Sequence, residues 1–229
     1  MSDYFRTQYE KCYEGEEYYW GLEPASFLDE LLKTFDQNPS ELSVLDIGCG
    51  EGKDAVYLAE KGCNVTAFDI TESGICKTKK LAENRGVKIN AFVADINDFT
   101  IEKQFDIVYS TGTIQYLFDE NINSFFQKIN DITKSDGVVY FNVFVEKPFL
   151  ELPPDWDKEE KMWETGDLFS YFKDWKILAI NETIFEDNSG GVRHYHCMDS
   201  VMAQKIVHDM HRCEICNNKQ SFFGKRKES

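Results

Sequence analysis

The chain reads as an α/β protein, a Rossmann-like doubly wound seven-stranded sheet that ends in an antiparallel β-hairpin. Three observations predict this class. Short apolar runs bounded by turn residues alternate with amphipathic helical segments between residues 43 and 145, the pattern of parallel strands joined by crossover helices. The first run, Val44-Leu45-Asp46-Ile47, passes directly into Gly48-Cys49-Gly50-Glu51-Gly52, a strand, a tight glycine loop and a helix start. After Val145 the pattern changes to prolines and then to two long extended runs around Asp187-Asn188-Ser189-Gly190-Gly191, a turn of hairpin type.

The elements follow in order. Residues 1–22 are rich in Tyr and Glu and end in Tyr18-Tyr19-Trp20-Gly21; they are expected to form a lid, with Gly21 as its hinge. Pro24 opens a helical pattern to about Phe35, with Phe27, Leu28, Leu31 and Leu32 on one face, and Asn38-Pro39-Ser40 breaks it. Strand one is expected at 43–47 and a helix at 52–61, closed by Lys61-Gly62. Strand two is Asn64 to Asp69. Thr71 then caps a helix running to about Glu83, and strand three follows at 88–94. Strand four is Phe105 to Ser110, a helix covers 120–134, Ser135-Asp136-Gly137 is a turn, and strand five is Val138 to Val145. Thr165 to Phe172 reads as a short helix, and residues 175–185 and 192–206 read as the arms of the hairpin. This places one domain at 23–206, preceded by the lid and followed by a tail at 207–229.

Composition narrows the function. The chain has 229 residues, 42% hydrophobic and 14% aromatic, enough for a sizeable core. No apolar run approaches the roughly 20 residues of a membrane span, and no basic-then-apolar leader opens the chain. A cytoplasmic protein with no membrane partner is expected. A net charge of −16 argues against a nucleic-acid partner, which needs a basic face. Seven cysteines, an odd number scattered through core segments, fit reduced thiols.

Glycine spacing separates two ligand classes. A dinucleotide fingerprint, G-x-G-x-x-G/A, would require Gly or Ala at the position held by Lys53. The pattern present is D-x-G-x-G-x-G, Asp46 to Gly52, and it resembles motif I of class I S-adenosylmethionine-dependent methyltransferases. Ligands in such sheets bind beyond the carboxyl ends of the strands, and polar residues stand at four of those ends. Asp46, Gly48 and Gly50 follow strand one, with Cys49 filling the tight turn. Asp69, followed by Ile70, ends strand two, where a carboxylate can accept from a ribose diol. Asp95 and Ile96 end strand three, placed to accept from an adenine amino group and cover the ring. Ser110 ends strand four at the expected floor of the crevice. Each acid has an ordinary alternative as a turn former or helix cap. Trp20 and its neighbouring tyrosines offer aromatic faces to a sulfonium cation, or simply pack on the core.

The resemblance narrows further. Tyr19-Trp20-Gly21 followed by Pro24, the glycine loop through Leu58, Val65 to Asp69, and Met202-Ala203-Gln204-Lys205 look like the tellurite-resistance methyltransferase family, itself similar to thiopurine methyltransferases. The resemblance implies S-adenosyl-L-methionine as cofactor and a small soft acceptor, a thiol or chalcogen oxyanion. Arg193 matches a final-strand arginine of that family, where a cation would hold an anionic substrate. The His-Arg pair that some members carry before the hairpin turn is absent, Phe185-Glu186 standing there. His194 and His196 share one strand face and are candidate substrate contacts or a base, or else solvent-facing strand histidines. Gln115 and Tyr116 either face the substrate or pack. No metal is expected among these residues. The tail pattern His208, His211, Cys213, Cys216 has zinc-like spacing but only one Cys-x-x-Cys knuckle. Two other function classes remain open: a cofactor-binding regulatory protein without turnover, and a nicotinamide-dependent oxidoreductase.

Overall fold

The computed structural model describes residues 2–154, 156, 160–188 and 191–206. Seven strands form one sheet: β1 (Ser43–Ile47), β2 (Asn64–Asp69), β3 (Asn90–Val93), β4 (Phe105–Ser110), β5 (Thr133–Phe144), β6 (Lys176–Asp187) and β7 (His194–Gln204). Their order across the sheet is β3-β2-β1-β4-β5-β7-β6. The β1–β2, β1–β4, β2–β3 and β4–β5 pairs are parallel, and β7 runs antiparallel between β5 and β6. The chain reverses direction across the sheet between β1 and β4. The carboxyl ends of the parallel strands open on the crevice this reversal leaves.

Among the described residues, two α-helices precede the first strand, α1 (Ser2–Tyr13) and α2 (Phe27–Leu32), and four lie between strands, α3 (Lys53–Glu60), α4 (Glu72–Asn84), α5 (Ile122–Ile132) and α6 (Asp167–Ser170). Alternate strand residues feed two cores because successive side chains point to opposite faces. Leu45, Ile47, Val108, Val139 and Phe141 pack with Phe125, Phe126 and Ile129 of α5 and Leu168 of α6. Val44, Val65, Ile107 and Val138 pack with Leu28 and Leu31 of α2 and Ala55 and Leu58 of α3. Strands buried on both faces explain why their sequences read as continuous apolar runs.

Three differences from the sequence reading are instructive. Residues 2–13 form a helix, an element the sequence reading did not place within the lid segment; Phe5, Tyr9 and Tyr13 recur every four residues, a helical stripe that the many intervening polar residues obscure. Ser135-Asp136-Gly137 lies within β5 as a bulge. Asp136 takes φ +61, the β4–β5 register shifts between Phe105 and Ile107, and Asp136 N–H still donates to the Lys205 carbonyl at 2.8 Å. The helix placed at 24–35 occupies only its central turns. The hairpin turn placed at 187–191 includes residues 189 and 190, outside the described residues, as does the tail at 207–229 with its His/Cys pattern.

Candidate active site

A cavity of about 650 Å³ opens over the carboxyl ends of the parallel strands. Asp46, Gly48, Cys49 and Gly50 from the β1–α3 loop, Asp69 and Ile70 after β2, and Asp95 and Ile96 after β3 line one end. Asn142 and Phe144 of β5, Phe185 and Asp187 of β6, and His196 and Met198 of β7 line the other, with Trp156 and Glu160 from the long β5–α6 connection. Phe5, Tyr9 and Tyr13 of α1, together with Trp20, wall the space between.

The glycine end is held by backbone geometry. Gly48 adopts φ +75, and a Cβ placed there would lie 2.2 Å from Thr113 Oγ1, so only glycine fits. Gly50 N–H donates to Asp69 Oδ2 at 2.9 Å. The other Asp69 oxygen accepts from Thr71 N–H at 2.9 Å and the Thr71 hydroxyl at 2.6 Å. The Thr71 hydroxyl in turn caps α4 by accepting from Gly74 N–H, as its sequence position predicts. Asp69 therefore ties the glycine loop to the start of α4. Its four lone-pair directions leave one free of these three donors. Burial raises the Asp69 pKa from its ordinary value, opposed by the bonds from Thr71 and Gly50.

Asp46 is buried and accepts from the Tyr109 hydroxyl at 2.7 Å; burial pushes its pKa well up against that bond. Burial first, and then the nearby Asp46 and Asp69 carboxylates, push the Cys49 thiol well above its ordinary pKa. Asp95 Oδ1 accepts from the Asn97 backbone N–H at 2.8 Å and its side-chain amide at 3.2 Å. Asn97 also receives Phe118 N–H at 2.9 Å, which joins this strand end to the segment after β4.

The lid segment is anchored rather than loose. Trp20 Nε1–H donates to the Tyr13 hydroxyl at 2.9 Å, and Trp20 N–H donates to Glu51 Oε2 at 3.2 Å. Lys77 pairs with the same buried Glu51 at 2.6 Å and donates to the Glu17 carbonyl at 2.6 Å. The Tyr9 and Tyr116 hydroxyls meet at 2.5 Å across the cavity wall. Gln115 lines the cavity beside them; its amide donates to the Gly112 carbonyl at 2.8 Å, and its buried Oε1 has no partner among the described residues. An open acceptor in a cavity wall is available to a ligand's donor or to water.

Of the residues placed at the site from sequence, Trp20, Asp46, Gly48, Cys49, Gly50, Asp69, Ile70, Asp95 and Ile96 all line the cavity. Two do not. Ser110 is fully buried with its hydroxyl donating to the Ile47 carbonyl at 2.8 Å, so it holds β4 to β1 instead of flooring the crevice. Arg193 points to solvent from the hairpin, its side chain 70% exposed and paired with Glu186. Strand alternation explains this: Arg193 and Tyr195 take one face, His194 and His196 the other. The two histidines are buried, not solvent-facing. Their Nε2 atoms are 2.9 Å apart, and His196 Nε2 lies 3.7 Å from Asp187 Oδ2. His196 lines the cavity, whereas His194 stands behind it.

The sequence reading missed the α1 wall, Asn142, Phe144, Asp187 and Met198. The i, i+4, i+8 spacing of Phe5, Tyr9 and Tyr13 was the available signal for the first. The others arrive through the register β5–β7–β6, which pairs Phe144 with Met198 and Phe185 with His196.

Among known proteins, residues 37–192 match the family model described as tellurite resistance protein TehB. The chain belongs to the TehB family. The probable S-adenosyl-L-methionine-dependent methyltransferase TehB of Haemophilus influenzae (strain 10810) is 29% identical over 147 residues, 64% of this chain and 50% of that protein. The chain thus spans half the length of that relative. The crystal structure of TehB from Haemophilus influenzae superposes with a TM-score of 0.70 at 23% identity, covering 87% of this chain and 66% of that one. A structure described for the conversion of a disulfide bond into a thioacetal group during echinomycin biosynthesis has a TM-score of 0.68 at 19% identity and covers all of both chains. These structures share the α/β fold of this TehB-family chain.

Proposed function

We propose that this TehB-family protein is an S-adenosylmethionine-dependent methyltransferase acting on a small soft acceptor, and that the acceptor is a thiol rather than an oxyanion. The carrying observation is the charge and aromaticity of the cavity. Asp46, Glu51, Asp54, Asp69, Asp95, Glu160 and Asp187 line it, and among the described lining residues Lys53 is the only Lys or Arg. Lys53 is itself paired with Asp54 at 3.0 Å. Such a wall, with Tyr9, Tyr13, Trp20 and Tyr116, suits a sulfonium cation and repels a pyrophosphate. The same field disfavours an anionic acceptor, and Arg193 is not there to hold one.

The residues fit the cofactor by their chemistry. Gly48 and Gly50 offer close backbone, Asp69 retains one acceptor direction for a ribose hydroxyl, and Asp95 with Ile96 suits an adenine edge and face. When bound, S-adenosylmethionine supplies a methyl carbon on a sulfonium, leaving as S-adenosylhomocysteine. The chain's own part is to exclude water through the anchored Trp20 and α1 wall and to orient the acceptor between Phe144, Trp156 and Met198. Orientation alone is worth up to roughly 7–11 kcal/mol in such reactions.

Calorimetry with S-adenosylmethionine, S-adenosylhomocysteine and NADH tests the cofactor. Binding of the first two and not the third is expected, and NADH binding alone overturns the reading. A panel of thiols, amines and chalcogen oxyanions, read by release of S-adenosylhomocysteine, tests the acceptor. Turnover with oxyanions only would refute the thiol assignment. Cofactor binding without turnover on any class would favour a regulatory protein.

A further inference from the structure

We propose that Asp187, His194 and His196 form a site for one divalent transition-metal ion, zinc(II) foremost, at the hairpin end of the cavity. His194 and His196 stand on one face of β7, and Asp187, the last residue of β6, is the register partner of His194. The three ligand atoms all lie within 4.8 Å of one another. The imidazole Nε2 atoms face each other at 2.9 Å, and Asp187 Oδ2 is 3.7 Å from His196 Nε2.

Protonation follows from the partners. His194 Nδ1 is 2.6 Å from the Val192 carbonyl oxygen. A carbonyl only accepts, so Nδ1 carries the proton and Nε2 presents its lone pair toward His196. A metal-ligating histidine is oriented in the same way, its second nitrogen donating to a carbonyl or carboxylate. With Zn–N and Zn–O bonds of about 2.0–2.1 Å, tetrahedral ligand atoms stand about 3.3 Å apart. The observed 2.9 and 3.7 Å bracket that spacing, and the third pair, His194 with Asp187, lies within 4.8 Å, so closing around an ion takes a shift of at most about 1.5 Å there, within reach of a side-chain rotation. Two imidazoles and one carboxylate favour zinc and its transition-metal neighbours over magnesium or calcium.

Position adds a consequence. Asp187 and His196 line the cavity, so a fourth coordination position opens into it. A thiol entering that position gives its proton to solvent and is held as the thiolate. This metal site stands apart from the methyl-transfer reading, which survives if no metal binds. The competing arrangement is a plain N–H···N bond between the two rings.

The test uses the full chain carrying H208N, H211N, C213S and C216S, so that the ligand-type residues of the tail do not contribute. Titration with cobalt(II) is expected to give one bound equivalent with visible d–d absorption, displaced by zinc(II). H194Q, H196Q and D187N are each expected to weaken cobalt(II) binding about tenfold or more. Cobalt(II) in the unsubstituted hairpin is also expected to shift the ring-proton resonances of His194 and His196, a readout that needs no hairpin variant. Absence of binding, binding unchanged in H194Q/H196Q, or unshifted histidine resonances would overturn the proposal. Calorimetry with S-adenosylhomocysteine on the same preparation reports the methyl-transfer reading separately.

Discussion

The two ends of the cavity are built by different means. At the glycine end, Gly48, Gly50, Asp69 and Asp95 sit at the tips of consecutive parallel strands, and their backbone geometry leaves little freedom: Asp69 alone receives Gly50 N–H and two donors from Thr71. At the hairpin end, Asn142, Phe144, Asp187, His196 and Met198 are brought together by cross-strand register, and their side chains are the surface. The glycine end offers main-chain groups together with carboxylates held in place by backbone N–H donors. The other presents side chains that can change without disturbing the strands. A constant nucleoside partner and a variable acceptor map naturally onto these two constructions.

The largest expected effect breaks the glycine end. Asp69→Ala removes the acceptor of three hydrogen bonds, and bonds to charged groups are worth about 1.5–3 kcal/mol each. Affinity for S-adenosylhomocysteine is expected to fall about 100-fold or more by calorimetry, with Asp69→Asn intermediate. Unchanged affinity would remove Asp69 from the ligand's surroundings.

Next, Gly48→Ala forces a side chain into φ +75 and against Thr113. A loss of about 1–3 kcal/mol in urea unfolding is expected. Adding Thr113→Ala should recover the steric part and leave the conformational part; full recovery would mean that φ carries no cost. At the opposite end, Phe144→Ala is expected to raise the acceptor KM about tenfold while the S-adenosylhomocysteine affinity stays within about twofold. If both change together, the two ends are one site and the comparison fails.

The smallest effect lies away from both ends. Asp106 accepts from Ser43 N–H and Lys134 at 2.8 Å each; against the upward push of burial, these partners and the Ser43 hydroxyl hold its pKa below the ordinary value. A carboxyl lowered on folding contributes stability above its unfolded pKa, about 3.9, and loses it as pH falls through the folded value. Asp106→Asn should therefore cost less than about 1 kcal/mol at neutral pH, because Lys134 remains partly open to solvent, and match the parent at low pH. Denaturant midpoints across pH check this, and a gap that widens toward acid would refute it.

How much was legible follows the same division. β1, β2 and β4 fall at the residues their apolar runs indicated, because strands buried on both faces write themselves as unbroken hydrophobic segments. Thr71 was readable as a cap because capping is a three-residue affair. α1 was hidden because its inward stripe is only Phe5, Tyr9 and Tyr13 among charged neighbours. Ser110 looked like a site residue by position, yet its hydroxyl faces the Ile47 carbonyl across the sheet, a contact between residues 63 apart.

Sequence alone determined the class of fold, the glycine loop and the acids that follow the first three strands, since each depends on steric limits and periodicities acting over a few residues. Tertiary structure alone decided which face of the hairpin looks inward, burying His194 and His196 and leaving Arg193 outside. A shift of one residue in strand register would exchange those faces, and register is settled by packing between strands distant in the chain, not by the residues of either strand alone.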